Sequence, residues 1–311
     1  MRNRRDGAKP PPCLLRAMNK ILVICGPTAS GKSDLALRIA AETNGEIISA
    51  DSMQLYKGLD IGTAKPSGEE RRRVPHHLID LFDFSKRVDV YVFLELAEQA
   101  IREIHSRGRL PVIAGGTGMY IRALLYGLDP LPGNHELRAE LDRLYDHDEG
   151  FVRLKELMRE KSPDDYERWH NHRRKLIRAL EVHTLTGQSI SALQTLHRPQ
   201  LRYDAAVWSL VRDREELKQR IALRTDLMLE AGWIEEARAA INAGLLKAPT
   251  AWQALGYGII GEYLDGKIDY ETMRQRIITA TWQFARRQIT WFKHQHPEAV
   301  PQPYPWDHLH Y

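Results

Sequence analysis

The chain has 311 residues, 43% hydrophobic and 28% charged, which suits a large core and about two domains. No apolar run approaches the roughly 20 residues that span a bilayer, so a membrane span is excluded. Two cysteines, Cys13 and Cys25, with no C-x-x-C and no His/Cys cluster, exclude a disulfide framework and a zinc site, and a net charge of +4 permits a polyanionic partner without requiring one.

The opening Met1-Arg2-Asn3-Arg4-Arg5, followed by Pro10-Pro11-Pro12, lacks the apolar centre of a secretory signal. Residues 1–18 are expected to be a disordered basic extension, with Met18 as an alternative start and a cytoplasmic setting. The first predicted strand is Ile21-Leu22-Val23-Ile24-Cys25. It ends in Gly26-Pro27-Thr28-Ala29-Ser30-Gly31-Lys32-Ser33, a match to G-x-x-x-x-G-K-[ST], and the helical pattern Asp34-Leu35-Ala36-Leu37-Arg38-Ile39-Ala40 follows at once. Between a strand and a helix this loop is a phosphate cradle. Its glycines let successive N–H groups converge on an anion, the helix dipole favours negative charge, and Lys32 adds a cation. The Ser33 hydroxyl is expected to complete a magnesium site. The plain alternative is a Gly-rich turn.

Asn44-Gly45 stops the first helix, and Glu46-Ile47-Ile48-Ser49-Ala50 reads as a second strand closing on Asp51. After a polar stretch from Lys57 to Val74, the residues Phe93, Ala97, Ala100 and Ile104 recur at helical spacing. Leu110-Pro111-Val112-Ile113-Ala114 then forms a third strand, ending in Gly115-Gly116-Thr117-Gly118. Alternating strands and helices predict a parallel sheet, and ligands of such sheets bind at the carboxyl ends of the strands. One pocket is therefore expected to collect the Gly26 to Ser33 loop, Asp51-Ser52 and Gly115-Gly116-Thr117.

Between about 131 and 198 the pattern is helical throughout, with stripes at Leu137, Leu141 and Leu144 and at Leu154, Leu157 and Met158. The cluster Arg173-Arg174-Lys175 with Arg178 is either a solvated helix face or a set of phosphate contacts. Ala206 to Val211 returns as a strand, and Asp213 with Glu216 resembles a capping box. On the helix behind it Leu217, Ile221, Leu227 and Met228 are expected to share a face. Arg220 and Arg224 lie in the same arc, as snorkelling stems or as anion ligands. Near the end, aromatic and basic residues interleave from Thr281 to Lys293, a pattern that suits a nucleic-acid backbone or a capped core helix. The Pro-rich tail from Pro297 is expected to be peripheral.

The usual acidic partner of a nucleotide-binding phosphate loop is missing, because the strand Leu110 to Ala114 runs into Gly-Gly-Thr. Asp51 is left as either a magnesium partner or a general base for a nucleophile beside the phosphates. Motif logic alone leaves both open.

Together, the Gly26 to Ser33 loop, Ala50-Asp51-Ser52-Met53-Gln54-Leu55-Tyr56 continuing to Pro66, Gly115-Gly116-Thr117-Gly118-Met119-Tyr120, Arg178-Ala179-Leu180-Glu181-Val182, Gly256-Tyr257 and Arg287-Gln288-Ile289-Thr290-Trp291 resemble the bacterial-type tRNA dimethylallyltransferases. The resemblance runs in order from about Asn19 to Lys293. It implies a P-loop NTPase-like α/β core with a parallel sheet, and transfer of a dimethylallyl group from dimethylallyl diphosphate, with Mg2+, to the N6 amine of the adenosine 3′ of the anticodon.

By that resemblance Asp51 is the base, Thr117 lies at the reacting centre, and Arg224 binds diphosphate together with Gly26, Pro27, Thr28, Ala29, Ser30, Gly31, Lys32 and Ser33. Asp51, Ser52, Met53, Gln54 and Thr117 would receive the base. The anticodon stem-loop would be held by Arg174, Lys175, Arg178, Gln253, Gly256, Tyr257, Arg286, Arg287, Gln288, Trp291 and Lys293. Where the family usually has His-Pro-Asn-Asp, this chain has Trp169-His170-Asn171-His172. The zinc-finger extension of the eukaryotic relatives is absent from the sequence.

The expected division is 1–18 as extension, 19–130 with 199–296 as core, 131–198 as a helical tRNA-binding insertion and 297–311 as tail, in a monomer. Rival readings are a small-molecule kinase using ATP at the same loop, an adenylate isopentenyltransferase, and an RNA-binding module with a degenerate loop.

Overall fold

A computed structural model of the chain describes residues 20–129, 131–195 and 200–306. The reading of residues 1–18 lies outside them. The described residues divide into two compact units, one built from the segments before 127 and after 200, the other spanning Gly127–Gln200.

The first unit is a parallel sheet with helices on both faces. Its strands are β1 (Lys20–Cys25), β2 (Glu46–Ser49), β3 (His76–His77), β4 (Pro111–Gly115), β5 (Asp204–Val211) and β6 (Val300–Pro303), in the order β3-β2-β4-β1-β5-β6. Every pairing is parallel, with Ile24 facing Ala114 on one side and Trp208 on the other. The parallel α/β sheet expected from the strand-helix alternation is found, in the P-loop NTPase-like class that the resemblance implies.

Strand β1 explains the two-faced core. Side chains alternate across a sheet, so Ile21, Val23 and Cys25 enter one apolar cluster while Leu22 and Ile24 enter another. All five are fully buried. The first cluster receives Phe93, Ala97, Ile101 and Ile104 from α3 (Val90–Ser106). The second receives Leu35, Ala36 and Ile39 from α1 (Lys32–Glu42).

The polar stretch after residue 57 holds two elements that periodicity missed, α2 (Gly68–Arg73) and the two-residue β3. Both are too short to show a period. At the amino end of β2, away from the strand ends that carry the motifs, Glu46 is buried. Burial alone pushes its carboxyl up, but hydrogen bonds from Arg107 and His77 outweigh this and hold it down at about 2.

The tail is not peripheral. Residues 300–303 pair with β5, from Trp208 against Val300 to Val211 against Pro303. Trp306 is 8% exposed inside the second cluster. Proline signalled a loop here, yet an edge strand tolerates Pro301 and Pro303, since a missing N–H harms only a paired side.

The second unit contains only helices among its described residues: α5 (His135–Tyr145), α6 (Asp148–Lys161), α7 (Pro163–Trp169), α8 (Arg173–Thr186) and α9 (Ile190–Thr195). Its core gathers Leu141, Leu154, Met158, Leu176, Ile177 and Leu180. Helix α4 (Gly118–Tyr126) of the first unit precedes it in sequence.

Candidate active site

Because all strands run the same way, the segments after β1, β2 and β4 emerge at one edge. They line a single cavity of about 740 Å³ that includes Lys32, Ser33, Asp51, Ser52, Thr117 and Arg224. The order β4-β1-β5 places the loop after β1 where the connections diverge, the position at which ligands of open α/β sheets bind.

The loop itself is a strained turn. Gly26 has φ +143° and Gly31 φ +100°, and even Ala29 sits at +61°. These positive angles bring the chain round into α1, whose N-cap is Gly31 and whose first turn has no side-chain cap. In contrast Ser67, Asp89, Asn134 and Asp269 each cap their helices with a side-chain oxygen. The leading N–H groups of a helix lack internal partners, so α1 offers its own to an external acceptor. Ser30 is fully buried and its hydroxyl has no hydrogen-bond partner among the described residues.

Cations surround the turn. Lys32 Nζ donates to the Pro27 carbonyl at 2.7 Å. Desolvation, then the nearby Arg224, lowers its ammonium from 10.5 to about 8, with Asp51 pulling the other way. Arg224 lies on α10 (Arg214–Glu230) and donates to Thr28 Oγ1 at 2.6 Å. Arg220, one turn earlier, donates to the Ala29 carbonyl at 2.9 Å and also lines the cavity. Leu227 does not join their apolar neighbours; it is 54% exposed, and Thr225 takes the buried place beside Ile221 and Met228. The Asp213 cap is half of the expected box. Its carboxylate accepts from Glu215 and Glu216 N–H, but the Glu216 side chain pairs with Arg212.

Asp51 lines the same cavity as these cations and acts electrostatically on Lys32 and Arg224. One of its oxygens accepts from Met53 N–H at 2.9 Å, and Thr117 Oγ1 accepts from Ser52 N–H at 3.2 Å, so the two loops brace each other. Gln54 is spent internally: its oxygen accepts from Ser49 and its amide donates to the Thr63 carbonyl. The apolar side of the cavity includes Met53, Met228, Trp233, Leu255 and Phe284. No local motif pointed to Met228 or Trp233 as cavity residues, since they meet the others only in the fold.

Several residues that the resemblance assigned to the tRNA surface make contacts within this chain. Gln288 is buried in α13 (Tyr270–Gln295), accepts from Thr28 N–H at 2.7 Å and donates to the Gly116 carbonyl at 2.9 Å. Tyr257 is fully buried and donates to Glu236 at 2.6 Å. Gly256, at φ +94°, is needed because a Cβ there would stand 2.5 Å from the Trp233 ring. Trp291 is half-buried, and a Cβ on Gly118 would meet its ring at 2.1 Å. In the helical unit Arg178 pairs with the buried Glu181 at 2.7 Å, and Glu181 also accepts from Asn134 N–H at 3.0 Å. Periodicity cannot tell a basic residue on a solvated face from one folded back on a carboxylate. Arg174, Lys175, Gln253, Arg286, Arg287 and Lys293 are exposed, and Gln253 and Arg287 also line the cavity.

A magnesium ion fits this donor set. The Ser33 hydroxyl is exposed on the first turn of α1, and Asp51 has an oxygen beyond its bond to Met53. Among the described residues no three His, Cys, Asp or Glu side chains cluster as a protein-built cage. Few protein oxygens, completed by substrate phosphates and water, are what magnesium takes.

An uncapped helix turn, a cationic collar and a carboxylate lining one cavity suit a phosphate-loop protein arranged for group transfer from a phosphorylated donor. A family model described as IPP transferase matches residues 54–295, and one described as isopentenyl transferase matches residues 19–80. The chain belongs to the IPP transferase family. It is 41% identical over 275 residues to a tRNA dimethylallyltransferase of Kocuria rhizophila, covering 88% of this chain and 86% of that one. It is similar in structure to the tRNA isopentenylpyrophosphate transferase of Bacillus halodurans, with TM-score 0.67, 36% identity and coverage of 92% and 90%. It is similar too to a eukaryotic dimethylallyltransferase solved acting on tRNA, with TM-score 0.78, 30% identity and coverage of 93% and 76%.

Proposed function

We propose that this chain transfers a dimethylallyl group from dimethylallyl diphosphate to the N6 amine of the adenosine at position 37 of tRNA, just 3′ of the anticodon. The observation that carries this reading is that Asp51 and the phosphate loop line one cavity. The family and the names of its relatives support it. In the reaction the amine lone pair forms the new C–N bond, the allylic C–O bond breaks with its electrons going to diphosphate, and the amine proton passes to Asp51. The loop N–H groups, Lys32 and Arg224 stabilise the charge that collects on the leaving group. Magnesium, which Ser33 would hold, would supply further neutralisation of that charge.

An adenine stacked in an anticodon loop has to leave the stack to reach such a cavity. The exposed Arg286, Arg287 and Lys293 suit the phosphates beside it. The helical unit, with Arg174 and Lys175 exposed, suits the anticodon stem. Since Asp51, Lys32 and Arg224 come from one chain, a monomer suffices. Among the described residues no helix is long and apolar enough to cross a membrane, which fits a cytoplasmic enzyme.

The test incubates the purified protein with magnesium, dimethylallyl diphosphate and unmodified tRNA, reads nucleosides by mass spectrometry, and follows ATP in parallel. The expected result is a prenylated adenosine with ATP untouched. Acceptor-dependent ATP turnover without prenylation would overturn the reading in favour of a kinase.

A further inference from the structure

The phosphate loop is braced by the last segment of the sheet. Arg212 directly follows β5, and its side chain is only 4% exposed. Its Nε donates to the Ser30 carbonyl at 2.7 Å and its Nη1 pairs with Glu216. Its guanidinium carbon lies 3.8 Å from the Tyr304 ring centroid and 4.7 Å from that of Trp306. Those rings meet edge to face at 5.4 Å.

Trp306 is in turn held on both sides. Its indole donates to the Gln302 carbonyl at 3.0 Å, and Arg38 on α1 donates to its carbonyl at 2.8 Å. A Cβ on Gly31 would stand 2.9 Å from the Trp306 ring, so the loop lies directly against this tail.

This contact has a directional consequence. In a planar trans peptide the C=O and the following N–H point opposite ways. By holding the Ser30 carbonyl, Arg212 therefore turns the Gly31 N–H away from itself. A planar guanidinium packed against two rings does this with little freedom, which a lysine would not reproduce.

We infer that Arg212, Tyr304 and Trp306 form a positioning device for the diphosphate group: a strap that sets the peptide between Ser30 and Gly31 before the ligand arrives. Arg212 and Trp306 are positioning residues and touch no substrate. The inference rests on the phosphate-loop reading above. The aromatic part of the strap lies beyond residue 295, where the family match ends.

The test uses the full chain and inorganic diphosphate with magnesium as the probe, measured by calorimetry, alongside KM for dimethylallyl diphosphate and for tRNA. Trp306→Ala and Arg212→Gln are expected to weaken diphosphate binding and raise the dimethylallyl diphosphate KM about 10-fold, while the tRNA KM stays within about 2-fold, as for a misplaced binding group. Trp306→Phe should recover most of the loss and Arg212→Lys should not. Val300→Ala, on β6 at a site 54% exposed, should change neither KM.

Variants that bind diphosphate like the wild type would overturn the inference alone. So would diphosphate and tRNA affinities that fall together in step with thermal stability. If Trp306→Ala fails to fold, the contrast between Trp306→Phe and Arg212→Lys decides on the same terms. A wild-type protein that ignores diphosphate would overturn the phosphate-loop reading, and the strap with it.

Discussion

Lys32 holds its charge at a cost in the free protein. Desolvation and Arg224 lower its ammonium from 10.5 to about 8, equivalent to about 3 kcal/mol against the charged form. The sign follows from linkage. A lysine lowered on folding penalises the native state while both states are protonated, and the penalty fades as pH rises from about 8 towards 10.5. Denaturant titrations of the ligand-free protein should show that rise in stability, and Lys32→Met should remove it. Diphosphate affinity should run the other way, falling above about pH 8 as the cation is lost. Asp51 answers a different question. If it accepts the amine proton, Asp51→Ala should cut single-turnover prenyl transfer by ~10²-fold or more, with tRNA affinity by filter binding nearly unchanged. Unchanged turnover would remove it from the mechanism.

Helix α13 shows why a chemical role cannot be assigned from residue type. Its aromatic and basic run suited a nucleic-acid surface, yet every third or fourth residue faces inward: Thr281, Ala285, Gln288 and Phe292 are buried, while Arg286, Arg287 and Lys293 are exposed. Gln288 joins the loop after β1 to the loop after β4 through Thr28 N–H and the Gly116 carbonyl. Gln288→Ala would leave both groups unpaired in the interior, and each such loss costs about 1–3 kcal/mol. A fall of at least about 2 kcal/mol in unfolding free energy is therefore expected, together with a raised KM for dimethylallyl diphosphate. An exposed tRNA contact would instead change tRNA affinity at constant stability.

Across the whole molecule the charges sort by partner. Arg178 is held by Glu181, whereas Arg174 and Lys175 are exposed on the same helix, α8. If the latter two meet phosphates, replacing each with Ala should flatten the dependence of log tRNA affinity on log salt by roughly one unit. Arg178→Ala should leave that slope unaltered and lower the stability of the helical unit. A slope unmoved by Arg174 and Lys175 would restore the solvated-face reading for them.

What the sequence by itself determined was whatever is written in a contiguous stretch. A β-branched run, a glycine loop and a helix pattern specify strand, phosphate turn and helix within twenty-odd residues, and their alternation dictates a parallel sheet. Parallel strands all end at one edge, so the meeting of Lys32, Asp51 and Thr117 in one cavity was legible too. The tertiary structure alone decided the contacts between distant segments. These include Gln288 beneath Thr28, Tyr257 against Glu236, Arg178 on Glu181, and Trp306 behind Gly31. In each case a polar or aromatic side chain has equally good local options in water. Only the packing of the finished sheet and helices fixes which partner removes it from solvent.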